Sequence, residues 1–147
     1  MISENHVNSM RAFNRFYTGI IGLLDRHILH SRYSLPEVRI LFEVYYHEQF
    51  TAKDLQEIIR IDKGYLSRIL SLFEEKKLIT RKRSKKDGRA RYLVLTKKGK
   101  SEFEILNRAS HEQIREILLP LRKEESKRLI RHMKEIQKIL AVHSFTK

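Results

Sequence analysis

Residues 51–99 read TAKDLQEIIRIDKGYLSRILSLFEEKKLITRKRSKKDGRARYLVLTKKG, and a change of hydrophobic period inside this stretch decides the fold. As far as Leu78, apolar residues recur every three or four positions; beyond it they sit in short runs rich in β-forming types. Thr51 and Asp54 form a [ST]-x-x-[DE] helix start, and Ala52, Leu55, Ile58 and Ile59 supply the buried side of a short helix over 52–59. A break at Arg60 and Ile61 follows, and Asp62 is a suitable cap for a second helix over 63–76. Two short helices joined by a tight turn outline a helix-turn-helix, here with no glycine in the turn. Residues 79–83 and 90–95 then read as strands, and Asp87-Gly88 between them favours a hairpin.

The flanks are helical. Met10, Phe13, Tyr17, Ile20, Ile21, Leu24 and Ile28 fall mostly on one face of a helix predicted over 7–30. Ser34, Pro36 and Glu37 announce another, running to about residue 48 with a capping box at its start. Thr96 caps a long helix over 97–119 that stops near Pro120, and a last one spans 122–142. The fold class is therefore mainly α with a small β-hairpin. A winged helix-turn-helix lobe is expected over 33–99, with a helical dimerisation region formed by 1–32 and 100–147.

The 147 residues fit one domain, or one domain with helical extensions. The absence of cysteine excludes a disulfide scaffold, a Cys-ligated zinc site and a thiol redox switch. The N-terminal residues lack a basic segment followed by an apolar one, and no apolar run reaches the roughly 18–20 residues of a membrane span. A cytoplasmic protein with no membrane partner is expected. The net charge of +13 is concentrated, with sixteen Lys and Arg against six Asp and Glu in residues 51–100. A local basic patch points to a polyanion.

On a helical wheel Leu66, Ile69, Leu70 and Phe73 share the core side of the second short helix. Gly64, Ser67, Arg68 and Ser71 share the other side, flanked by Lys63 and Tyr65. A helix entering a major groove needs short polar groups for close approach and a few long donors. Arg68 suits guanine, Ser67 and Ser71 suit bases or phosphates, and Lys63 with the first-turn amides suits phosphate. An ordinary amphipathic helix would show the same face, so the helix alone does not decide. The hairpin tips the balance: Arg81, Lys82, Arg83, Lys85, Lys86, Arg89 and Arg91 face only one acid, Asp87. Such crowding repels itself unless a polyanion relieves it, and an arginine-bearing ribbon suits a minor groove. Asp87, two residues before Arg89, is placed to orient it.

Residues 35–99, and above all Asp87-Gly88-Arg89 followed by a strand and Leu95-Thr96-Lys97-Lys98-Gly99, resemble the MarR family of bacterial regulators. The resemblance implies a homodimer, a recognition helix at 63–76, a wing at 79–95, and an arginine, Arg89, that enters the minor groove. It also implies a small-molecule effector bound between the dimer helices and the DNA lobe, where Tyr17, Phe42, Tyr45 and Tyr46 are candidate lining residues; core packing is the competing role for each. One departure stands out: relatives usually have glycine between the recognition helix and the first wing strand, where this chain has Lys77.

The DNA-binding residues expected are thus Lys63, Gly64, Tyr65, Ser67, Arg68, Ser71, Arg81, Arg83, Lys85, Lys86, Asp87, Arg89 and Arg91. The partners expected are double-stranded DNA and a second copy of the chain, meeting through the apolar residues of the terminal helices. No cofactor or metal is expected; His27 and His30 share a helical face but have no evident third ligand. No catalytic fingerprint appears, so the chain reads as no enzyme. The competing reading is a basic RNA-binding or architectural nucleic-acid-binding protein without effector control. An RNA reader would more often display stacking aromatics, and the hairpin has only Tyr92.

Overall fold

A computed structural model describes residues 1–22, 31–85 and 88–144. The elements are α1 (Glu4–Ile20), α2 (Leu35–Tyr46), α3 (Ala52–Ile59), α4 (Lys63–Glu75), β1 (Ile79–Arg83), β2 (Arg91–Leu95), α5 (Lys97–Leu118) and α6 (Lys123–Ser144). The mainly α class with one antiparallel hairpin is the expected one. By compactness the chain divides into Met1–Ser110 and His111–Lys147, a division that falls inside α5. No helix of the described residues is long and apolar enough to cross a membrane.

Local chemistry sets most of the boundaries. Thr51 and Asp54 form a reciprocal capping box at the start of α3, with the Thr51 hydroxyl accepting from the Asp54 amide at 3.2 Å. The backbone N–H of Thr51, and then its hydroxyl, hold the Asp54 carboxyl below its ordinary pKa. Ser34 and Glu37 cap α2, and Asp62 caps α4. The first helix differs from its predicted span of 7–30. It begins at Glu4, where the Ser3 side chain accepts from the His6 amide, and it ends at Ile20, just before Gly22 takes a left-handed φ of 64°. Residues 23–30, which hold Leu24, Ile28 and the His27/His30 pair, lie outside the described residues.

Among the described residues the core lies in the first unit. Ile40, Leu41 and Val44 of α2, Leu55 of α3, Leu66, Ile69, Leu70 and Phe73 of α4, Leu93 and Leu95 of β2, and Phe103 and Leu106 of α5 are all buried. Each contributes about 1.5–3 kcal/mol of transfer free energy, which holds α4 by one face and leaves the other to solvent. Ile79 pairs with Leu95, Arg81 with Leu93 and Arg83 with Arg91. At the base of this ribbon the Leu93 N–H donates to the Phe50 carbonyl at 2.8 Å, which ties it to the loop before α3. The first turn of the lobe is tied to α5 as well: Arg32 and the Tyr33 hydroxyl both reach Glu102, at 2.9 and 3.1 Å. Burial pushes the Tyr33 pKa up, against the lowering pull of Arg32.

Candidate nucleic-acid interface

α4 is amphipathic in the sense expected: Leu66, Ile69, Leu70 and Phe73 are buried, while Lys63, Gly64, Tyr65, Ser67, Arg68 and Ser71 are exposed. Its first turn is less open to phosphate than its sequence suggests. The Tyr65 amide donates to Asp62 Oδ1 at 2.8 Å, so a carboxylate already occupies part of the positive end of the helix. The Arg68 guanidinium lies over the Tyr65 ring, 5.8 Å from its centroid, within cation–π range. Gly64 leaves room for both neighbours, since a Cβ there would stand 3.3 Å from Asp62 Oδ1 and 4.0 Å from Arg68 Nη1.

Strand alternation sorts the ribbon's charges. Arg81, Arg83 and Arg91 share the face that Ile79, Leu93 and Leu95 bury at the base, and Lys82 lies on the other, paired with Tyr92. Arg83 stands directly opposite Arg91, an arrangement of like charges that costs stability on a bare surface. Near the tip, the Tyr92 hydroxyl donates to the buried Ser84 Oγ at 2.8 Å and stiffens the ribbon. Lys85 and Arg89 are exposed; Lys86 and Asp87, and with them the expected orientation of Arg89 by Asp87, lie outside the described residues.

Two features join the helix to the ribbon. Arg81 Nε donates to Glu74 Oε1 at 2.8 Å, so the first of the wing arginines is engaged by α4. The turn between them is a Schellman motif: the Leu78 N–H reaches the Phe73 carbonyl at 2.8 Å and the Lys77 N–H reaches Glu74 at 3.0 Å. Lys77 takes the left-handed φ of 57° that glycine usually supplies there. Arg60, at the end of α3, likewise takes a φ of 56° in the turn that lacks glycine. The start of α5 closes on this turn. Thr96 Oγ1 donates to the Lys77 carbonyl at 2.6 Å, and Lys98 Nζ donates to the Lys76 carbonyl at 2.9 Å. Gly99 packs so tightly that a Cβ there would lie 1.9 Å from the Leu78 oxygen. Thus Thr96, Lys98 and Gly99 of the LTKKG motif brace the helix–wing corner.

Of the four candidate ligand residues, three come together. Phe42, Tyr45 and Tyr46 surround Phe103 of α5, with ring centroids 6.2, 4.4 and 5.9 Å from it. Tyr17 stacks instead on Phe13 within α1 at 5.7 Å. Phe103 escaped the sequence reading because it sits in a charged stretch; its spacing of three from Leu106 was the available signal. A separate cleft of about 920 Å³ lies between the end of α2, the ribbon and the first turns of α5, and Tyr45, Lys82, Tyr92 and Lys100 line part of it.

Residues 33–90 match the model of the MarR family. The HTH-type transcriptional regulator BilQ of Clostridium symbiosum is 32% identical over 91 residues, which span 62% of this chain and 63% of that protein. The match therefore covers less than two thirds of that relative's own length. A MarR family protein from Bacillus stearothermophilus has a similar fold, with a TM-score of 0.80 at 15% identity, over 96% of this chain and 99% of that one. Streptococcus pneumoniae FabT, solved in complex with DNA, gives 0.76 at 19% identity, over 97% of this chain and 100% of its own. With a helix-turn-helix and an arginine-bearing wing, residues 33–90 are similar to the MarR family, and the chain as a whole shares the fold of the MarR family protein from Bacillus stearothermophilus.

Proposed function

We propose that this protein is a sequence-specific regulator, a repressor, that binds double-stranded DNA as a homodimer on an inverted-repeat operator. One observation carries the reading: the Glu74–Arg81 pair sets the arginine face of the ribbon beside the exposed stripe of α4. Gly64, Ser67, Ser71 and Glu74 recur at spacings of three and four, so they lie on one side of that helix. α4 then enters the major groove with Ser67, Arg68 and Ser71 toward base edges, while Lys63, Arg83, Lys85 and Arg91 meet phosphates. Arg89 reaches the adjacent minor groove, and Lys86 and Asp87 belong to the same tip. That FabT was solved with DNA supports the reading by fold.

The homodimer is proposed on the terminal helices. No residue of α1 is buried, and none of α6 over 123–141. Their apolar side chains nevertheless form stripes: Met10, Phe13, Tyr17 and Ile20 on α1, and Leu129, Met133, Ile136 and Leu140 on α6. Spacings of three and four are those of a helix that packs along another helix. A second copy of the chain is the occupant, because a twofold pair presents two recognition helices to two half-sites about one DNA turn apart. An apolar effector would lodge at the rings of Phe42, Tyr45 and Tyr46, and quenching of tyrosine fluorescence on titration tests that site.

Selection of bound sequences from random duplex DNA tests the whole proposal. An inverted repeat with half-sites about ten base pairs apart is expected. The log of the operator affinity should fall against log salt with a slope of roughly −7 to −9, for about 8–10 neutralised phosphates per dimer. A flat salt response, or preference for single-stranded RNA, defeats it.

A further inference from the structure

We propose that Glu74 is a positioning residue for DNA recognition: through Arg81 it fixes the angle between the recognition helix and the wing, and so sets which DNA geometries both can engage at once. The inference rests on the DNA-binding reading above and adds a residue that the basic pattern conceals.

An acidic side chain on the stripe that faces a polyanion needs a reason. Four other acids of residues 51–100 bear on it. Asp54 closes the α3 capping box, Asp62 caps α4, Glu57 lies within 3.9 Å of Lys53 along α3, and Glu75 is the exposed neighbour of Glu74. Glu74 makes an ion pair that joins two elements, its Oε1 2.8 Å from Arg81 Nε. Both side chains are a little over one third exposed, so the pair adds little to overall stability. Its effect is geometric. A two-stranded ribbon is marginal by itself and free to pivot about its base. The foot of the ribbon is held by the Thr96 N–H on the Leu78 carbonyl, and β2 is held by the Leu93 N–H on the Phe50 carbonyl; Arg81 is the β1 partner of Leu93, so Glu74 grips the other strand at that level, from the α4 side. A guanidinium gripped at Nε also presents its plane in a fixed orientation.

The charge of Glu74 contributes a second effect. With Arg81 held, the pair is neutral and the surface tolerates it. On DNA whose grooves pull the wing away from α4, the pair opens and leaves a carboxylate facing phosphate. Glu74 thereby penalises mismatched DNA more than the operator, which is a specificity effect rather than an affinity effect.

Because the chain has no cysteine, a spin-label pair at Ser67→Cys and Lys85→Cys reports the angle between helix and ribbon without DNA. The expected result is a narrow distance distribution that broadens in Glu74→Gln and narrows again in the charge swap Glu74→Arg with Arg81→Glu. In parallel, Glu74→Gln should raise binding to random duplex while lowering the ratio of operator to random affinity about tenfold, and the swap should restore that ratio to within about threefold. The melting midpoint should stay within a few degrees throughout. If the distance distribution is unchanged in Glu74→Gln, or the swap restores neither readout in a folded protein, the inference is overturned. If no variant, nor the parent, binds duplex DNA, the DNA-binding reading falls, while the distances still decide whether Glu74 sets the wing.

Discussion

The winged lobe and the last helix solve opposite problems. Every buried hydrophobic residue among the described ones lies between Tyr33 and Leu106, and the exposed side of α4 is polar. The lobe has finished its own core and offers what remains to a charged partner. α6 has no buried residue over 123–141, yet Leu129, Ile130, Met133, Ile136, Ile139 and Leu140 stand 36–57% exposed along it. Two of its lysines pair within the helix, Lys127 with Glu124 and Lys138 with Glu135. Exposed charge on one element and exposed hydrocarbon on the other suit partners of different chemistry, which under the function proposed above are DNA and a second copy of the chain. Damage to the lobe should therefore leave dimerisation intact, whereas loss of the dimer should reach DNA binding only through the loss of simultaneous engagement.

The largest effect should come from the hydrocarbon side. Met133→Asp places a carboxylate in the middle of the proposed seam, where an unpaired charge cannot be buried. Sedimentation should show the dimer reduced to a folded monomer, with operator affinity down about 100-fold or more as the gain from simultaneous engagement is lost. A dimer that survives would falsify pairing through α6 and leave the lobe's role intact. Gly99→Ala strikes the other side of the contrast. Its new Cβ would meet the Leu78 oxygen at 1.9 Å, the same oxygen that accepts the Thr96 N–H at 3.0 Å. Some backbone must move, and a loss of about 2 kcal/mol is expected in the lobe's melting transition, with dimerisation retained. An unchanged melting curve would show that the helix–wing corner is far softer than its packing implies.

A third substitution touches only the charged surface. Arg89→Ala should weaken operator binding about 10–100-fold, as loss of a base-groove arginine does, while stability changes by no more than about 0.5 kcal/mol. Gel-shift titration beside a thermal melt separates the two, and unimpaired binding would remove the ribbon tip from the interface.

How much of this was legible depended on whether a signal was local. The spans of α3, α4 and β1 were readable because each carries its own boundary: Thr51 with Asp54, Asp62, and the abrupt change of period after Leu78. The inward face of α4 was readable because angle along a helix is arithmetic. What escaped joins residues distant in sequence or geometry. Nothing local distinguishes Arg81, held by Glu74, from Arg83, two residues on in the same basic run. Phe103 was hidden by its charged neighbours, and the brace of Thr96, Lys98 and Gly99 on the α4–β1 turn spans some twenty positions. Period and capping report what a segment does with itself; they are silent on which distant group it meets.

The smallest effect concerns the residue where sequence and backbone disagree. Lys77 holds a φ of 57° in a position that closes a Schellman motif. A side chain in this left-handed region costs about 1–2 kcal/mol relative to glycine. Lys77→Gly removes that cost but frees the unfolded chain, which takes back about 0.4–1 kcal/mol. It also deletes a cation just beyond the C-terminus of α4, where positive charge contributes about 0.3–1 kcal/mol. The first term slightly exceeds the other two together at their midpoints, so a gain of no more than a few tenths of a kcal/mol, roughly 0.2, is expected in chemical denaturation, with the dimer unchanged. A loss instead would mean that the lysine's charge outweighs its backbone strain at this corner. The lobe would then keep Lys77 for electrostatics, the same currency in which its exposed face is written and one in which α6's apolar stripe has no share.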